Sequence, residues 1–114
     1  MVVASVRVLV PEENRLELTQ TLGSLLSTIR NQKGCLGSHF YFEVGHEDTL
    51  CLIEEWETQA DLDNHLRSND FAILLGAVNL LKGPSEIEFK LLTPTAGIEA
   101  VDAARGKSDP KAPT

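Results

Sequence analysis

Two cysteines, one tryptophan, one tyrosine and one methionine in 114 residues leave little room for several kinds of chemistry. Cys35 and Cys51 lie outside any CxxC motif and are too few and too far apart for a zinc site. A hairpin turning near Gly45 to Asp48 would set Val44 opposite Thr49 and bring Cys51 near Phe42 rather than Cys35, so no disulfide is expected between them. Two small buried thiols in a reducing compartment fit this usage. No apolar run reaches the ~18 to 20 residues of a membrane span. The opening "MVVASVRVLVPEEN" lacks the basic start and small-residue cleavage site of a secretory leader. A cytoplasmic protein without a membrane partner is the expectation. Ten Lys and Arg against 17 Asp and Glu give a net charge of -7. The basic residues are also scattered, and affinity for phosphates needs them clustered, so nucleic acid is excluded as a partner. No metal, flavin or Gly-rich phosphate motif is visible, and no cofactor is expected.

What is present is the material of one compact domain, with an apolar fraction of 42% and a charged fraction of 24%. "VVASVRVLV" sets Val2, Ala4, Val6, Val8 and Val10 on one face and Ser5 and Arg7 on the other, a strand buried mainly on one side. Leu16, Leu18, Leu22, Leu25, Leu26 and Ile29 then recur mostly at three- and four-residue steps, an amphipathic helix that "NQKG" stops, with Gly34 available for a left-handed cap. "CLGSHFYFEV" alternates Leu36, Phe40, Phe42 and Val44 against Gly37, His39, Tyr41 and Glu43, and with "TLCLIEEWE" it reads as a hairpin. Thr58 is a candidate N-cap with Asp61 in the first turn, where a carboxylate is favoured. "SND" at Ser68 to Asp70 breaks this helix before "FAILLGAVNLL", and "EIEFKLL" is a last strand. The order β-α-β-β-α-β predicts an α+β, ferredoxin-like antiparallel sheet with its helices on one face.

Two surfaces remain uncovered in such a domain. The outer sheet face carries Ser5, Arg7, His39, Tyr41, Glu43, Glu86 and Glu88, and "FAILLGAVNLL" is apolar on more than one side. A helix apolar nearly all round is hard to bury in a small monomer, which predicts a homodimer.

"GCLGSHFY", "LIEEWETQADLDNHLRSNDF" and the spacing to "IEFKLLTP" resemble the antibiotic biosynthesis monooxygenase family, whose members have a dimeric α/β barrel fold. The most specific element is E-x-W followed nine residues later by His, from Glu54 and Trp56 to His65. The resemblance covers about Val2 to Pro94, which divides the chain into a domain over residues 1–94 and a C-terminal extension over 95–114, expected to be partly disordered. Relatives of this kind include cofactor-independent oxygenases of phenolic or quinol substrates, haem-degrading enzymes and isomerases of small phosphorylated sugars. The haem-degrading pattern wants Trp where this chain has His65 and His where it has Leu75. Phosphorylated substrates fit poorly with scattered basic residues.

The resemblance therefore implies a monooxygenase oxidising a small aromatic quinol or phenol with O₂. A noncatalytic homodimer that binds an aromatic ligand, or a small-molecule isomerase on the same fold, are the alternatives. A phenol deprotonated in an apolar pocket reduces O₂ directly, so the protein need supply only a base, a dry cavity and orientation. His65 shares the inward stripe of its helix and is the candidate base, with Asp61 four residues earlier to hold its ring. Trp56, Phe71, Phe40 and Leu75 are candidate substrate-binding residues. Each has a plainer reading as a core side chain, and His65 as a packed histidine bonded to a carbonyl. Glu54 and Glu55 point to opposite sheet faces, so one of them is turned inward and needs a partner, for which Arg7 is a candidate. His39 and Tyr41 are expected in a dimer contact and His46 in a solvated turn.

Overall fold

The β-branched run at the start of the chain forms β1 (Val2–Leu9), and the leucine-rich helix follows as α1 (Glu12–Arg30). The hairpin is β2 (Cys35–Glu43) and β3 (His46–Trp56); then come α2 (Gln59–Leu66), α3 (Asn69–Asn79), β4 (Ser85–Leu91) and a short α4 (Ile98–Ala104). These elements come from a computed structural model that describes residues 1–79, 81, 85–91 and 98–106. The sheet has the order β2-β3-β1-β4, and β1 pairs antiparallel with both β3 and β4. This is the ferredoxin-like α+β plan, with α2 and α3 sharing the place of its second helix.

Period-two alternation decides which face of the sheet is covered. Val2, Ala4, Val6 and Val8 of β1 and Leu50, Leu52 and Trp56 of β3 are buried, together with Val10 just past β1. They meet Leu18, Leu22, Leu25 and Ile29 of α1, Leu62 of α2, and Phe71, Leu74 and Val78 of α3. Fully burying each such aliphatic or Phe side chain stabilises by about 1.5–3 kcal/mol, so this one layer between helices and sheet dominates the fold.

Two irregularities shift β2 from the simple alternation. A bulge between Cys35 and Gly37 turns Leu36 outward, 56% exposed, while Cys35, Phe40 and Phe42 pack on the core. At the other end Gly45 takes φ 86°, and Glu43 pairs with His46. The turn therefore closes at Val44–Gly45, earlier than expected, and Val44 is solvent-exposed rather than inward. Cys51 consequently faces Tyr41 instead of Phe42, and Cys35 faces Trp56. Both cysteines are free.

The C-terminal extension contains α4, and none of its residues is buried. The disorder expected at the end of the chain concerns residues 107–114, which lie outside the described residues. The expected contribution of Glu86 and Glu88 to the outer sheet face concerns side chains that also lie outside the description. No helix among the described residues is long and apolar enough to cross a membrane.

Candidate functional site

The alternation that buries Leu50 and Leu52 continues through β3 and turns Glu54 inward. Its neighbours across the sheet are Ala4 and Ser38, both buried and both small, so the carboxylate reaches up between strands that offer no bulky side chain. Helix α2 brings the histidine over it. Thr58 caps this helix: its hydroxyl accepts from the Asp61 N–H at 3.1 Å and donates to Asp61 Oδ2 at 2.9 Å, satisfying one of the free N–H groups of the first turn. At the other end Ser68 donates to the His65 carbonyl at 2.6 Å and accepts from the Phe71 N–H at 3.2 Å. One serine thus closes α2, opens α3 and fixes His65 and Phe71 relative to each other.

The His65 ring stacks on Trp56, with centroids 4.6 Å apart and planes inclined by 25°, and meets Phe71 edge-on at 5.4 Å. Its Nδ1 lies 2.8 Å from Gln32 Oε1. Gln32 in turn donates through Nε2 to Asp70 Oδ2 at 2.8 Å. The other ring nitrogen, Nε2, lies 3.1 Å from Glu54 Oε2. That is ion-pair distance, yet the two atoms lack the alignment of a hydrogen bond, and each is a buried polar atom without another partner. Glu54 is 2% exposed, His65 1% and Trp56 0%. Trp56 Nε1 and Ser38 Oγ are also buried and unpartnered. An isolated buried carboxylate costs several kcal/mol, and the His65 ring nitrogen at 3.1 Å is the group the structure sets against that cost.

The candidate residues are only partly brought together. His65, Trp56 and Phe71 form one cluster. Phe40 and Leu75 are half-buried against the apolar core. Asp61 does not hold the ring. Its carboxylate is engaged by Thr58 and packed against Gly34, and the partner of Nδ1 is Gln32 instead. Nor does Arg7 serve Glu54: it lies on the outer face and bonds Glu43 at 2.7 Å, which holds the Glu43 carboxyl below its usual range. His39 and Tyr41 stand on that same face, their rings 6.3 Å apart, and His46 is exposed at the start of β3.

Gln32 carries no role in the sequence reading, and Glu54 enters it only through the E-x-W signature and as one of two neighbouring carboxylates, not as a partner of His65. Strand alternation marks one of Glu54 and Glu55 as inward, but the choice depends on the phase carried from Leu50. Gln32 follows α1 in an aperiodic turn, 33 residues from His65, and carries no local signal.

Burial pushes the Cys35 and Cys51 thiols up from their ordinary value, and for Cys51 the Glu43 charge adds to it. Both are therefore poor nucleophiles at neutral pH. Among the described residues no group of three or more His, Cys, Asp or Glu is placed to hold a metal ion. A cavity of about 100 Å³ lies between α1 and α3, lined by Asn14, Leu18, Thr21, Ala77 and Leu81 among others. A second, of about 260 Å³, lies against β2 beside Arg30, Cys35, Leu36, Gly37 and His39. His65 lines neither of them.

Known proteins share this fold. A Deinococcus radiodurans protein assigned as an antibiotic biosynthesis monooxygenase superposes with a TM-score of 0.78 at 17% identity, over 85% of this chain and 97% of its own. A conserved protein from Methanosarcina mazei Go1 does so with a TM-score of 0.73 at 24% identity, over 78% and 89%. An Asn-to-Ala variant of SnoaB, a cofactor-independent oxygenase from Streptomyces nogalater, has a TM-score of 0.71 at 17% identity, over 82% and 94%. At these identities the likeness establishes the fold alone. Among curated proteins no sequence match was found. The family model for antibiotic biosynthesis monooxygenases, however, matches residues 1–73, a span that contains Gln32, Glu54, Trp56, His65 and Phe71, and the chain belongs to that family.

Proposed function

We propose that this protein is a cofactor-independent monooxygenase that oxidises a small aromatic quinol or phenol with O₂, using the Glu54–His65 pair as proton acceptor. The observation that carries the reading is the Nε2 to Oε2 contact of 3.1 Å, made by a His65 ring that is walled by Trp56 and Phe71. Such a pair takes a proton from a phenolic hydroxyl without bringing water into the site. The phenolate passes one electron to O₂, and the resulting radical and superoxide join as a C–O bond. The bond forms at a ring carbon that bears hydrogen; protonated, that peroxide loses water to leave a carbonyl, so one oxygen atom enters the product, the other leaves as water, and the ring C–H carbon is oxidised to C=O. Family membership and the oxygenase among the solved relatives support this class.

The protein acts as a homodimer in this reading. The outer sheet face, with Tyr41 53% and Leu9 38% exposed, supplies the interface.

One observation favours a second reading, a noncatalytic dimer that binds an aromatic ligand. His65 is almost fully enclosed and lines neither of the two cavities described above. Oxygen consumption with a panel of hydroquinones and anthrones, followed by mass analysis under ¹⁸O₂, separates the two. One labelled oxygen in the product supports the oxygenase; binding without uptake supports the module.

A further inference from the structure

We propose that Gln32 and Asp70 are positioning residues that fix the tautomer of His65, so that Nε2 is its one basic nitrogen and faces Glu54. The orientation is set at Asp70. A carboxylate only accepts hydrogen bonds, so the Gln32 side-chain nitrogen, 2.8 Å away, must be the atom that faces it. The amide cannot then be flipped, and its oxygen is turned to His65 Nδ1 at 2.8 Å. An amide oxygen only accepts, so Nδ1 must carry a hydrogen. In the neutral ring this leaves the lone pair on Nε2, 3.1 Å from Glu54 Oε2.

The consequence is a single direction for proton uptake. With Nδ1 held as a donor, the Nε2 lone pair is the ring site open to a proton, and it faces the Glu54 carboxyl inside a core where both side chains are at most 2% exposed. The order of atoms, from half-buried Asp70 through Gln32 to the ring, is the orienting half of a base–orienter arrangement in which an amide stands where a carboxylate is more usual. Gln32 sits beyond α1 and Asp70 in the first turn of α3, so the tautomer depends on how these two helices dock.

The catalytic use of this arrangement rests on the oxygenase reading, but the tautomer does not, and the two are tested apart. Imidazole ¹⁵N NMR of the unliganded protein reads the ring nitrogens without any turnover. In the parent, Nδ1 is expected to be pyrrole-type. In Asp70→Asn, which is nearly isosteric and lets the Gln32 amide turn over, a pyridine-type Nδ1 population is expected to appear. Gln32→Leu is expected to convert most of the neutral ring to the Nε2–H form. A parent already in the Nε2–H form, or spectra unchanged in both variants, overturns the proposal. Should Gln32→Leu fail to fold, Asp70→Asn alone decides it.

Discussion

At the scale of single residues, the fold makes its sharpest demand at Gly34. Its φ of 81° suits glycine, and a Cβ there would run into the Asp61 carboxylate and its stem. Gly34→Ala should therefore cost more than about 1 kcal/mol and lower the melting temperature by at least several degrees. An unchanged melting curve would contradict the close packing of Asp61. The cysteines give a pH-dependent expectation. Because burial and Glu43 push the Cys51 thiol up, the reactive thiolate is scarce at pH 7 and becomes abundant only as pH rises through the raised value. Alkylation of Cys51 at pH 7 should be slower than that of a free thiol and should accelerate at higher pH than one; equal rates would refute the shift. His65 shows the limit of single-residue reasoning from sequence. Its inward position was legible from helical spacing, but its partners were not. Asp61 stands one turn away and was the natural choice, yet the Thr58 cap claims it, and the ring turns to Gln32 and Glu54 from other elements.

Among elements, the strands and helices with a periodic apolar face were readable, and the departures have local causes. The β1 alternation matches the buried residues directly, and the α1 stripe does so at Leu18, Leu22, Leu25 and Ile29, whereas Leu26 is half-buried and Leu16, near the start of the helix, is 70% exposed. The "SND" break was legible because Ser68 has capping chemistry. The β2 register was not, because a bulge at Leu36 and a turn closed by Gly45 depend on backbone geometry rather than on side-chain period. Among the described helices α4 adds least to the core: it buries none of its residues, with Ile98 70% and Val101 50% exposed. Deleting residues 98–114 should leave the melting temperature within a few degrees of the parent. A larger loss would mean that Ile98 and Val101 dock on a second copy.

For the whole molecule, the uncovered sheet face predicts a homodimer. Interfaces of an obligate kind usually bury more than about 2,000 Å² in total, and sedimentation at micromolar concentration should give twice the mass of the 12.5 kDa chain. A monomer would leave Tyr41 and Leu9 without the cover the account assigns them. Acceptance of the substrate proton by the buried Glu54–His65 pair is the step on which the proposed reaction turns. It is tested most directly by the oxygen-uptake rate of His65→Gln with an electron-rich hydroquinone, measured beside the parent and with folding checked by melting temperature. Glutamine retains hydrogen bonding and much of the volume but cannot take the proton. A folded variant slowed by about 10² to 10⁴, the usual scale for a lost general base, is expected. A folded variant as fast as the parent would contradict it and return His65 to a packing role.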